Sequence, residues 1–177
     1  MGLLPKTKTI ETLDLPAFEQ VLRHISRAGI GQGLLADLTG PEGLAPDRLA
    51  AFLDRLNEAL DESPAPEYEW PRLAEVFGVD QLARFLGISS TSVRRYRANA
   101  RATPDAIATR LHFLAMIIGD LAGAYNEFGI RRWFERKRAR LRGRSPAEIL
   151  VGDWSPGNAD VAQVRELARS LVSAAAT

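Results

Sequence analysis

The side chains best suited to chemistry on another molecule fall in one short window, Ser89-Ser90-Thr91-Ser92-Val93-Arg94-Arg95-Tyr96-Arg97. Hydroxyls grouped at the start of a helix reach phosphates or base edges, and an arginine guanidinium pairs bidentately with guanine or clamps a phosphate. That is the chemistry of holding a nucleic acid rather than of turning over a substrate. The 177-residue chain has no cysteine, which removes disulfides, thiolate metal sites and cysteine nucleophiles. Its two histidines, His24 and His112, stand far apart, so a histidine metal site would need distant carboxylates brought in by the fold. No nucleophile, base and orienting group cluster together, so neither enzymatic activity nor a cofactor is expected. The run Gly29-Ile30-Gly31-Gln32-Gly33 follows a helix pattern without a P-loop lysine and reads as a helix-ending turn.

Charge points to the same window. The formal net charge of +1 hides an uneven distribution: residues 1–80 carry 7 basic and 14 acidic side chains, residues 81–144 carry 14 and 4, and residues 145–177 carry 2 and 4. A polyanionic partner is expected on the middle segment. At the N-terminus, Met1 to Lys6 offers neither a leader nor a myristoylation pattern, since Lys6 stands where Ser or Thr is needed. The apolar stretch from Leu111 to Tyr125 is too short to span a bilayer and carries His112 and Asp120. A cytoplasmic protein is expected.

The elements that must position these residues are helices. Pro16, Pro46, Pro71, Pro104 and Pro146 stand where a helix begins, because proline costs nothing at the first helical position. Thr103 before Pro104 reads as a cap, and Ser145-Pro146-Ala147-Glu148 reads as a capping box. Phe18, Leu22 and Ile25 share a face of a first helix; Leu49, Phe52, Leu53, Leu56 and Leu60 share one on a second. With no sustained period-two alternation, the expected class is all-α. The acidic, proline-punctuated stretch from Asp61 to Pro71 reads as an extended linker. The expected organisation is a helical region over 1–66, a DNA-binding domain over 67–128 and a further small helical domain over 129–177.

From Val79 the spacing is that of a helix-turn-helix. Ala83 lets two helices cross closely, Gly87 supplies the turn, and Ile88 and Val93 pack inward with Leu82, Leu86 and Tyr96. Ser89 caps the second helix, and Ser89, Ser90, Thr91, Arg94, Arg95 and Arg97 are the expected DNA contacts. After Pro104, Ile107, Leu111, Leu114, Ile118, Leu121 and Tyr125 form a seam that packs within its own domain or against a symmetry mate, which keeps a homodimer in view. Beyond it, Ile130, Trp133 and Phe134 make an apolar stripe on an otherwise basic helix, with Trp133 expected in the core.

The segment Gly129-Ile130-Arg131-Arg132-Trp133-Phe134, followed by Leu141, Gly143-Arg144-Ser145-Pro146 and Ile149-Leu150, resembles the toxin-binding domain of the Xre/MbcA/ParS antitoxin family. In that family a helix-turn-helix precedes this domain, as here. The resemblance implies the antitoxin of a RES–Xre type toxin–antitoxin pair, which covers the active site of an NAD-consuming RES-domain toxin and represses their shared operator. It implies a toxin contact at Arg144 and a homodimer or larger complex with the toxin. Trp154, in an irregular stretch with weak helical constraint, is separately expected to be an exposed anchor for the toxin. The Arg131 to Arg144 run is left open between DNA, toxin and neither. A chain stopping near Glu127 is expected to keep its helix-turn-helix. The alternative is a stand-alone helix-turn-helix transcriptional regulator.

Overall fold

The computed structural model describes residues 15–31, 33, 34 and 46–175; the N-terminal segment read for a leader and lipid anchor lies outside the described residues, as does Gln32 of the glycine-rich run. Every element among the described residues is helical. In chain order these are α1 (Leu15–Arg27), α2 (Pro46–Glu62), α3 (Pro66–Leu86), α4 (Ser90–Arg97), α5 (Asp105–Ala122), α6 (Glu127–Glu135), a 3-10 turn (Ala139–Leu141), α7 (Pro146–Ile149) and α8 (Ala159–Ala175). No single helix among them is long and apolar enough to cross a membrane.

The chain divides between Ala65 and Pro66 into two compact units. In the first, the apolar faces read from spacing are the buried ones: Leu22, Ile25, Phe52 and Leu56 are inside, and Phe18 meets Phe52 edge-on at 5.9 Å. Leu53 departs from that face and is exposed. Gly29 and Gly31 take positive φ just after α1, so the described start of the glycine-rich run is a helix-ending turn.

The second unit is built around α5. Ala108, Leu111 to Ile118 and Leu121 are buried, so this helix is apolar nearly all round and sits in the middle of the unit, packed by α3, α8 and α6. The seam that also suited a symmetry mate is therefore spent in the protein's own core. Tyr125 falls beyond the end of α5 and is exposed, because the chain bends by 118° into α6.

Three expectations about the start of this unit are corrected. The extended linker over 61–71 is only Ser63-Pro64-Ala65, because α3 starts at Pro66 with Glu67 and Glu69 in its first turn, where acidic groups favour the helix dipole. Pro71 lies inside α3, its ring on an exposed face one turn past the start. Thr103 does not cap α5; its hydroxyl accepts the indole N–H of Trp70 at 2.9 Å, and Pro104 occupies the cap position without a side-chain bond.

The boundary expected at 128/129 does not separate two cores. Phe134 packs at 4.8 Å from Phe77 and 5.7 Å from Phe85, and one continuous cluster runs from Trp70 to Ala168. Deep in it Glu69 and His112, both buried, share a 2.6 Å hydrogen bond through His112 Nδ1. The fold thus does bring a distant carboxylate to this histidine, as a hydrogen-bonded pair.

Candidate nucleic-acid interface

Gly78, at φ 74°, breaks α3 into arms over 66–77 and 79–86, and Arg131 donates to the Val76 carbonyl left open by the break, at 3.1 Å. The second arm is the first helix of the helix-turn-helix. It ends in a Schellman arrangement: Ile88 N–H bonds the Ala83 carbonyl at 3.0 Å, Gly87 N–H bonds Arg84 at 3.4 Å, and Gly87 takes φ +66°. Ser89 then caps α4, its hydroxyl accepting Ser92 N–H at 3.1 Å. Leu82, Ala83, Leu86, Val93 and Tyr96 are buried and Ile88 is partly so, which matches the inward set read from spacing.

The expected contact residues fall into two groups. Thr91, Arg94, Arg95 and Arg97 are exposed on α4, and among the described residues no carboxylate is paired with any of the three arginines. Ser89 and Ser90 are instead tied into the fold. Ser89 is the cap, and Ser90 donates its hydroxyl to Asp80 at 2.6 Å, clamping α4 to the helix before it. Four residues thus remain free to face a duplex.

Further support for this motif comes from outside it. The last carbonyls of a helix have no partner within the helix; in α3 those of Phe85 and Leu86 are served by the chain beyond residue 100, which also reaches that of Arg84. Trp154 Nε1 donates to Phe85 at 2.7 Å, Arg110 donates to Leu86 at 3.3 Å, and Gly152 N–H reaches Arg84 at 3.4 Å. Arg110 also donates to the carbonyls of Trp154, at 2.6 Å, and Gly152, at 3.4 Å, and pairs with Asp153. The turn and this loop touch so closely that a Cβ on Gly87 would lie 2.9 Å from the Gly152 carbonyl oxygen.

Trp154 must accordingly be reassigned. It is 5% exposed, with its ring 5.4 Å from Phe113 and under the Arg110 guanidinium, so it is not an exposed anchor. The irregular backbone of the loop gave no helical face from which to read its direction. Arg144, half-exposed, pairs with Asp160 at the start of α8. That bond is the main cause holding the Asp160 carboxyl below the usual range. Sequence reasoning missed Arg110; the signal was a lone arginine between Ile107 and Leu111 in an otherwise apolar run.

The segment that carried the family resemblance is mostly skeleton. Ile130, Trp133, Phe134, Leu141, Ile149 and Leu150 are buried, Gly143 sits at φ +77°, and Ser145 and Glu148 form the capping box of α7. The bond from Ser145 N–H is the main cause that lowers the Glu148 pKa. No family model, curated protein or solved structure matches the chain.

Proposed function

We propose that this chain is a non-enzymatic antitoxin that binds operator DNA through α4 and neutralises a RES-domain, NAD-consuming toxin through its C-terminal part. The observation that supports it most is the outer face of α4, where Arg94, Arg95 and Arg97 stand exposed and, among the described residues, without carboxylate partners behind a glycine turn. A helix so presented suits a major groove, with Thr91 near its N-terminus and the arginines for base edges or phosphates. The toxin partner rests on the resemblance of residues 129–152, and among the expected contacts Arg144 has a half-exposed side chain while Trp154 is buried.

A stand-alone regulator is the second reading, and one observation favours it: Arg110 and the 152–154 loop complete the end of α3, the first helix of the helix-turn-helix, which gives the C-terminal residues a structural role without any partner. The same fact removes truncation near Glu127 as a test, since such a chain loses Phe134 and Trp154 from the core. Co-purification of the full chain with the product of the adjacent gene separates the readings. A stable complex with a RES-domain protein is expected; DNA binding without any such complex would overturn the antitoxin reading and leave the regulator.

A further inference from the structure

Beside α6 lies a groove of about 720 Å³, lined by Tyr125, Phe128, Arg132, Trp133, Arg136 and Arg138. Four features of its lining bear on what it holds. Phe128 is 60% exposed and Tyr125 38%, which puts two large apolar rings on the surface at one place. Three guanidinium groups stand against the single carboxylate of Glu135. Among the described residues, the indole N–H of Trp133, a residue only 2% exposed, has no hydrogen-bond partner, and neither does the buried Nε of Arg138, whose guanidinium lies 5.0 Å over the Trp133 ring. Burial accordingly pulls the Arg138 pKa down, against the ordinary tendency of arginine to stay solvated. Finally, Gly129 keeps the groove's shape, because a Cβ there would meet the Tyr125 ring at 2.9 Å.

Buried donors without acceptors are costly and uncommon in native proteins. Two of them on one groove call for a ligand that brings acceptors, the cationic lining calls for negative charge, and the exposed rings call for an apolar body. A duplex fits this poorly, since phosphate contacts to the arginines leave the exposed rings of Phe128 and Tyr125 without a purpose. We propose that the groove binds an acidic protein segment carrying an aromatic or aliphatic side chain, its carboxylates on Arg132, Arg136 and Arg138, an oxygen on the Trp133 indole, and its apolar side chain on Phe128 and Tyr125. This deepens the antitoxin reading and rests on it only for which protein supplies the segment.

The tryptophans make the test specific. Of the three, Trp70 and Trp154 already donate their indole protons, to Thr103 and Phe85, while Trp133 does not. In an NMR titration of the full chain with a synthetic Glu-Phe-Asp-Leu-Glu peptide, the Trp133 indole resonance, assigned from its loss in Trp133→Phe, moves downfield while the other two stay. Phe128→Ala and the double variant Arg132→Ala/Arg136→Ala, all at exposed positions, each weaken that binding about tenfold or more. A Lys-Phe-Lys-Leu-Lys peptide leaves the resonance in place. The proposal is overturned if the acidic peptide leaves Trp133 unmoved at millimolar concentration, if the basic peptide moves it equally, or if operator DNA does. Should the acidic peptide shift Trp133 while no toxin complex forms, the groove stands and the antitoxin reading alone fails.

Discussion

Trp154 offers the sharpest test of how the helix-turn-helix is held. Replacing it with Phe keeps a ring against Phe113 and Arg110 but removes the donor that serves the Phe85 carbonyl. Leaving a buried carbonyl unserved costs about 1–3 kcal/mol, or roughly 4–12 °C of melting temperature for a unit of this size. Replacement with Ala adds the loss of a large buried aromatic, about 3–5 kcal/mol more. Against a total stability of roughly 5–15 kcal/mol, that removes much of what holds the unit folded. Urea and thermal unfolding of the wild type and both variants give the comparison directly. The expected order is wild type, then Phe, then Ala, with DNA affinity of the Phe variant reduced well below its melting temperature because the turn before α4 loses a support. An Ala variant that melts with the wild type would refute the assignment of Trp154 to the core.

Other perturbations act on the same scaffold. Gly87→Ala places a Cβ at positive φ and against the Gly152 carbonyl, so it should lose about 1–2 kcal/mol from conformation alone and lower DNA affinity; unchanged melting and binding would contradict the turn-to-loop contact. Trp133→Ala should cost about 3–5 kcal/mol in urea unfolding, because its ring lies inside beside Phe134. Glu148 and Asp160 have depressed pKa values, through the Ser145 N–H and Arg144 respectively. Each contributes stability that is present above its unfolded value of about 4 and is lost as pH falls through the lower folded one. Stability measured by urea melts should therefore fall on acidification below about pH 4, and Glu148→Gln should flatten that fall.

The parts of the fold legible in the sequence were those with a local cause. The capping box at Ser145 and Glu148, the Gly87 turn and the inward set from Leu82 to Tyr96 follow from residues a few positions apart. What stayed hidden depended on distant chain. Pro71 and its acidic neighbours look like a linker until Trp70 and Leu73 are seen buried against the rest of the unit. Likewise, Arg110 finds its carbonyls at Leu86, Gly152 and Trp154, none near it in sequence. Among the six expected DNA contacts, exposure on α4 was readable from helical spacing for the arginines. The engagement of Ser90 with Asp80 was not, because a hydroxyl at a helix start serves a neighbour or a ligand equally well.

The reading of α4 as a recognition helix is tested most directly by fluorescence anisotropy on DNA from the chain's own promoter, with wild type, Arg94→Ala and Arg95→Ala at two salt concentrations. Both side chains are exposed and their loss leaves the core untouched. Each substitution is expected to weaken binding by about 1–3 kcal/mol where the arginine reads a base, with relaxed specificity, or to weaken all sequences alike and reduce the salt slope by about 1 where it holds a phosphate. Unchanged affinity and salt slope in both variants, with the fold intact, would contradict DNA recognition through this helix.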